Sequence, residues 1–523
     1  MFKQITRRLL TAAVILGSSA IISPCLQAEK LVILHTNDTH SQIDPLEKGD
    51  LGGLMRRKAA VDSIRNIEKN VMLVDAGDVV QGSLFFYLYG GKVEQEAMNI
   101  LGVDLGILGN HEFDNGIDSI ATILKEGKYE KLATNYYLEN SALKDMFRPY
   151  AIREFDGKRI GFIGLNLDPD GMIADGNAEG VVYSDVIESA NLAAAFLKNI
   201  EKTDAVVALT HIGYNPETGL GDSLLAKRSK DIDIIIGGHS HDVIDPATAA
   251  GMQRSRIKNA EGRDVLVVQT GKSGRYLGKI EIDLDNLSKA PEYELIKIDS
   301  RFDSHKDPQI QALTDKYRPG VDSLMNLLVG HTSREIPQGD NRELNYIADF
   351  VFERGKQLDK DVDLAIVNKG GIRIDLPKGP ISKGHIINLM PFRNYVLVID
   401  VKGSDLIEAF NAMSRTDGNG VSRQVDATYD KKSQKAISVK IDGRQIDPDK
   451  TYRVATIDYL AKGGDYMKSL RNSTEITRSE QVLYDDLLDY LTAGKGKGKP
   501  FGNGEKRVRM RSVTPRITTA PKD

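Results

Sequence analysis

Short apolar runs rich in Val, Ile and Leu punctuate the first half of the chain: LVIL from 31, VMLV from 71, GIL from 106, IGFIG from 160, AVVAL from 205, IDIII from 232 and VLVV from 265. Unbroken apolar runs of this length suit strands buried on both faces, whereas a half-exposed strand alternates. Between several of them lie helix-length segments, GGLMRRKAAVDSIRNIEK at 52–69 and YSDVIESANLAAAFLKNI at 183–200. Buried strands alternating with helices predict a layered α/β domain over about 29–300. The charged, helix-favouring stretch DPQIQALTDKYRPGVDSLMNLL (307–328) predicts a connecting helix within a linker at 301–330. The pattern then restarts with DLAIVNKGGIRID from 363, NYVLVIDVKG from 394, KAISVKIDG from 435 and TYRVATIDYLAKGGD from 451. These predict a smaller α+β domain over 331–515, with a tail at 516–523. The basic, Gly-rich segment from GKGKGKP (494–500) onward reads as solvated.

Length agrees with two domains, since 523 residues exceed what one core of about 250–300 residues can organise. A net charge of −4 gives no bulk field that would favour a nucleic-acid polymer or an anionic membrane. The N-terminus differs: Lys3, Arg7 and Arg8 precede the apolar run LLTAAVILGSSAII, which ends at LQA before Glu29. That layout predicts a signal peptide over 1–28 and a periplasmic or secreted mature chain without a transmembrane segment. The sole cysteine, Cys25, lies inside this segment, so disulfides cannot staple the mature chain. Lipid attachment at Cys25 is the second reading, disfavoured by Pro24 where such signals carry a small, flexible residue. Oligomeric state leaves no mark in the sequence.

The chemistry sits just beyond the apolar runs. LVIL leads into HTNDTH with Asp38 and His40, VMLV into DAGD with Asp78, and GIL into GNHEFD with Asn110, His111 and Asp114. AVVAL leads into THIGY with His211, and IDIII into GGHSH with His239 and His241. Loops at the carboxyl ends of strands in layered α/β folds converge on one crevice, so five loops would gather these groups. Five of the nine histidines fall in them, which chance does not explain. Asp, Asn and His offer oxygen and nitrogen donors without thiolate, a set suited to zinc, manganese, iron or a related dication. There are donors enough for two ions roughly 3.5–4 Å apart, sharing a carboxylate and holding a hydroxide between them. Asp75, Glu112 and His35 read instead as structural, Glu112 as a cap or as support behind the ligands.

In this order, DTH, GD, GNHEFD, H and GGHSH resemble the calcineurin-like metallophosphoesterases. More narrowly they are similar to the secreted 5'-nucleotidase family, which includes UDP-sugar hydrolases and 2',3'-cyclic-nucleotide phosphodiesterases. NKGGIR, MPF and DYLAKGGD are similar to that family's nucleotide-binding domain. The resemblance implies an αββα sandwich and two divalent ions, zinc, manganese or similar. Asp38, His40 and His241 would hold the first ion, Asn110, His211 and His239 the second, and Asp78 would bridge. His111 with Asp114 would form the catalytic dyad. Asn368, Arg373 and Asp465 would contact substrate, with Phe392 and Tyr459 sandwiching the base. Arg342, in the shortened segment GDNRELNYIADF, is the candidate for a further substrate arginine, and Lys369 replaces a usual glycine. The implied activity is hydrolysis of nucleoside 5'-monophosphates by a metal-bridging hydroxide. Cyclic-nucleotide or UDP-sugar hydrolysis is the alternative, and a non-catalytic nucleotide-binding surface protein is the reading from another class.

Overall fold

The computed structural model describes residues 29–511 apart from 47, 175, 216–218, 417 and 431. The expected signal peptide, Cys25 and the 516–523 tail lie outside the described residues. Two six-stranded sheets form the first half. One has the spatial order 292–297, 276–283, 30–36, 70–75, 105–106, 130–131, and the other 256–258, 264–268, 234–236, 205–211, 158–166, 150–155. The strands at the centre of each sheet run parallel. Period-two geometry splits each apolar run between two layers. Leu31, Ile33, Met72 and Val74 meet Phe162, Val207, Leu209 and Ile236 between the sheets. Val32, Leu34 and Leu73 face outward onto Leu54, Val61 and Ile64 of helix Leu54–Arg65. Ile163, Val206 and Ala208 lie under Val186, Ala190, Ala194 and Leu197 of helix Val186–Asn199, whose first turn is capped by Asp185. The result is the four-layer αββα arrangement.

The run at 106–108 is shorter as a strand than its composition suggests. The strand stops at Leu105–Gly106; Ile107 N still donates to Asp75 O, and Leu108 continues buried beyond the ladder. Gly109 explains the departure: a Cβ there would lie 2.1 Å from Asp78 Oδ1, so the chain leaves the sheet to pack beneath that carboxylate.

Helix Pro308–Met325 links the halves, starting at Pro308 with the Asp307 side chain accepting from Gln309 N and Ile310 N. Its Ile310, Leu313 and Tyr317 join an apolar cluster that runs from Val32 and Leu34 into the second half. There a five-stranded sheet, ordered 420–421, 364–367, 451–457, 395–402, 474–482, packs against helix Asn341–Leu358 beside a four-stranded sheet. The solvated reading of the segment after 494 is corrected here. Phe501 is fully buried against Tyr346, and Val508–Arg511 adds as a parallel edge strand on Val425–Asp430. An open sheet edge and one aromatic anchor outweigh a composition that by itself favours solvent.

Candidate metal centre and interdomain cleft

Asp38 and His40 follow strand Lys30–Thr36, and their loop is zipped to the next by backbone bonds from Asp38 N to Gly77 O, His40 N to Asp78 O and Ser41 N to Val79 O. Asn37 fixes the base of this loop, donating to Gly271 O and accepting from Thr270 N. Asp78 rides on the second loop, which the buried Glu112 carboxylate clamps by accepting from Val79 N at 2.8 Å, Asp78 N at 3.1 Å and Gly109 N at 2.5 Å. Glu112 is therefore a support of the ligand loop, as its sequence context suggested. Asp75 is likewise structural, accepting from Thr36 Oγ1 and Gly77 N. His35 packs in the core against Tyr293.

His211 closes strand Ala205–His211, and His239 and His241 follow strand Ile234–Ile236. Asp38, His40, Asp78, His239 and His241 all adopt left-handed backbone angles, φ 49°, 47°, 55°, 76° and 57°. Such conformations cost about 1–3 kcal/mol each and cluster where side-chain aim outweighs stability.

The donor atoms fall into two groups, Asp38–His40–His241 and Asp78–His211–His239, each with its atoms within 4.8 Å of one another. Between the groups, His40 Nε2 lies 3.9 Å from Asp78 Oδ2 and His211 Nε2 lies 4.0 Å from Asp38 Oδ1, so both carboxylates face both sets. Asn110 Oδ1 is 2.9 Å from His239 Nδ1. The lone pairs point the same way. His211 Nδ1 sits 2.7 Å from Ala76 O, which can only accept, so Nδ1 carries a proton and Nε2 is the nitrogen that would ligate once a cation displaces its proton. That Nε2 is buried, 3.1 Å from Asp78 Oδ2 and not aligned for a hydrogen bond. Burial holds His40 well below its ordinary value, takes His239 down to about 3 and also lowers His241, keeping three rings neutral and able to ligate. At His211 burial again lowers the value, but Asp78 and then Asp38 overcome it and push the ring up to about 10. Two buried carboxylates thus demand positive charge at this point, and a divalent cation satisfies that demand better than one proton. The donors present fit a pair of hard or borderline dications.

His111 lies beside the ligands on the 3-10 turn His111–Asn115, its N–H donating to Asp78 Oδ1 and its Nδ1 2.9 Å from Asp114 Oδ2. Although burial opposes it, Asp114 and Asp78 raise the imidazole above its ordinary value. His111 faces a cleft of about 810 Å³ between the two halves. From the second half Asn368, Arg373, Phe392, Tyr459 and Asp465 line the same cleft. Asn368 Nδ2 donates to Asp465 Oδ2 at 2.8 Å and Tyr459 OH to Asp465 Oδ1 at 3.1 Å, which fixes the carboxylate. Gly464 is needed here because a Cβ would stand 2.5 Å from the Tyr459 ring. The Phe392 ring lies 5.7 Å from the His111 ring at 29°, and the Arg373 guanidinium is 5.7 Å from the Phe392 centroid.

Arg342 is the exception. Asp340 caps helix Asn341–Leu358 by accepting from Arg342 N and Glu343 N, and at this first-turn position the Arg342 side chain is exposed and does not line the cleft. Three lining residues, by contrast, carried no signal in the sequence: Tyr87, Arg393 and Tyr484. The two tyrosines pack edge to face across the halves, with centroids 5.7 Å apart at 82°. LFFYLY (84–89) and VLYDD (482–486) look like core helix segments, and only their meeting at the cleft distinguishes them.

Comparison with known proteins agrees with this geometry. Residues 31–243 match the calcineurin-like phosphoesterase family and residues 325–471 the 5'-nucleotidase C-terminal domain. The chain is 28% identical to the trifunctional nucleotide phosphoesterase protein YfkN of Bacillus subtilis over 87% of its own length, spanning 33% of that longer protein. It is 27% identical to the protein UshA of Escherichia coli, covering 92% of this chain and 94% of that one. Its fold superposes on the crystal structure of a 5'-nucleotidase precursor from Thermus thermophilus with a TM-score of 0.80 and 28% identity, covering 93% of this chain and all of that one. The chain belongs to the calcineurin-like phosphoesterases that carry a 5'-nucleotidase C-terminal domain.

Proposed function

We propose that this protein hydrolyses nucleoside 5'-monophosphates to nucleoside and phosphate, using Asp38, His40, Asp78, Asn110, His211, His239 and His241 as ligands to two divalent metal ions. The observation that carries the reading is a single cleft lined by Asp78, Asn110, His239, His241 and His111 from the first half and by Phe392, Tyr459 and Asp465 from the second. When bound, the cations supply Lewis-acid charge for the phosphoryl oxygens and a water acidic enough to attack phosphorus near neutral pH. The chain's own groups do the rest. His111, oriented through Nδ1 by Asp114, turns Nε2 toward the phosphoryl group, where a proton on it stabilises developing charge or passes to the departing oxygen. Arg373, without an ion-pair partner among the described residues, offers its fork to substrate oxygens. Asp465, held by Asn368 and Tyr459, accepts from ribose hydroxyls, and the Phe392 and Tyr459 rings hold the base.

A second reading has its own observation. Tyr87, Arg393 and Tyr484 line the same cleft in addition to the residues assigned above to the phosphoryl group and the nucleoside. Two rings and a cation there would accept the further half of a nucleoside diphosphate ester, as in a UDP-sugar. The N-terminal segment 1–28 supports export, which would confine either activity to the periplasm or the exterior. No helix among the described residues is long and apolar enough to cross a membrane.

The decisive experiment measures products and bound metal together. On AMP, 2',3'-cyclic AMP and a UDP-sugar, the proposal expects phosphate released from AMP with the highest kcat/KM. Asp78→Ala should lose turnover and metal in parallel. Full activity in that variant would refute the ligand assignment, and preference for the UDP-sugar would favour the second reading.

A further inference from the structure

A base platform needs no contact with the catalytic imidazole, yet Phe392 makes one. Its ring lies nearly parallel to that of His111, 29° between planes and 5.7 Å between centroids. Asp114 restrains His111 at one atom only, through Nδ1 at 2.9 Å, and the terminal torsion of histidine is broad and roughly two-fold. One hydrogen bond on the ring edge leaves the imidazole free to tilt about that bond. A face-on aromatic neighbour removes this freedom. His40 touches the same ring only edge-on, at 5.3 Å and 70°. Phe392 is itself steadied by Arg373, whose guanidinium lies 5.7 Å from its centroid, and both residues belong to the second half of the chain, while His111 and Asp114 belong to the first.

We infer that Phe392 is a positioning residue for His111: the recognition domain supplies the wall that sets the catalytic imidazole, so the dyad is completed only when the two halves are juxtaposed as here. This rests on the hydrolytic reading of His111 above and adds a role distinct from base stacking. The device couples recognition to chemistry through an aromatic contact and needs no movement of the ligand loops.

A substrate without a base separates the two roles. Saturation kinetics on AMP and on glycerol 2-phosphate would be measured with the metal-loaded full chain for wild type, Phe392→Leu and Phe392→Tyr. Phe392→Leu keeps the bulk without the aromatic face. The expected result is a kcat about three- to tenfold lower on both esters, recovered in Phe392→Tyr, as loss of an aromatic pair implies. Independently of turnover, the His111 ring protons should show an upfield ring-current shift in histidine-labelled NMR spectra that disappears in Phe392→Leu. A raised KM for AMP with kcat unchanged on both esters, or His111 resonances that do not move, would overturn the inference and leave Phe392 as a base platform alone. Thermal melting of each variant guards against misfolding, and Phe392→Tyr tests the contact if the leucine variant unfolds. A wild type inert on both esters would overturn the hydrolytic reading and this inference with it, an outcome distinct from a selective change in KM.

Discussion

Replacing Glu112 tests whether the metal loop is held by a carboxylate or merely adjoins one. Glu112 is buried, and its two oxygens accept from Val79 N, Asp78 N and Gly109 N at 2.8, 3.1 and 2.5 Å. Truncation to alanine leaves these three close backbone donors, and the more distant Val80 N at 3.4 Å, without an acceptor in a dry environment. Each such orphan costs about 1–3 kcal/mol, so three come to roughly 3–9 kcal/mol, and entry of water and loop relaxation bring the total to the lower part of that span. Glu112→Ala should therefore lose about 3–5 kcal/mol, a large share of the ~5–15 kcal/mol that typically holds a domain folded. Glu112→Gln keeps one acceptor oxygen but turns an NH2 group toward two donors, so it should lose about half as much. Because Asp78 rides on the clamped loop, both variants should also bind metal about 10- to 100-fold more weakly. Urea denaturation followed by circular dichroism reads the first effect, and elemental analysis after dialysis at fixed free zinc or manganese reads the second. If Glu112→Gln kept wild-type stability and metal but lost turnover, the clamp would be wrong and Glu112 would be a proton-transfer group.

Gly109→Ala should act on the same loop sterically: a Cβ would meet Asp78 Oδ1 at 2.1 Å and Asp78 N at 2.5 Å, so metal content after dialysis should fall with the overall fold intact by circular dichroism. Asp465→Asn should raise KM for AMP about 10- to 100-fold while leaving kcat for glycerol 2-phosphate unchanged, since a charge-assisted bond to the ribose is worth about 1.5–3 kcal/mol. Outside the cleft lining, burial and then Asp340 push the Glu343 carboxyl up to about 9, with neither oxygen partnered. Its folded value exceeds the unfolded one of about 4.3, so its favourable contribution is complete below that pH and is lost as pH rises toward 9. Glu343→Gln should then equal wild type near pH 4 and exceed it by ~2–5 kcal/mol at pH 8 in denaturant titrations, and a variant less stable at pH 8 would show that an unseen partner stabilises the charged form. Chelation should lower the melting temperature, and restoring zinc or manganese should recover it, because a ligand bound only by the folded chain stabilises by about 2.7 kcal/mol at a hundredfold excess over Kd.

The layered architecture was legible because it depends on local pattern. Seven apolar runs at the right spacing, with helix-length segments between, admit few arrangements, and strand-end loops then converge by topology. The clustering of candidate donors was legible for the same reason: Asp38, Asp78, Asn110, His211 and His239 each stand just past a buried strand, where a charged or polar group is costly unless bound. Composition failed where a long-range contact overrode it. The Gly- and Lys-rich segment after 494 carries no apolar periodicity, yet Phe501 finds a pocket beside Tyr346 and 508–511 finds an open strand edge. Arg342 stands in the first turn of helix Asn341–Leu358 with its side chain exposed and outside the cleft lining, a placement that the local sequence does not carry.

Side-chain type and the periodicities of two and 3.6 carried the alternation of strands and helices and the oxygen and nitrogen donor types that stand past the buried strands. That Glu112 clamps the Asp78 loop, that Tyr87, Arg393 and Tyr484 share the cleft, and that Phe392 lies on the face of His111 came from tertiary packing. Those facts are relations between segments tens to hundreds of residues apart. The clamp is fixed by the packing of neighbouring strand-end loops within the first half, and the other two by how the halves pack around the helix 308–325, outcomes of summed burial that no local pattern encodes.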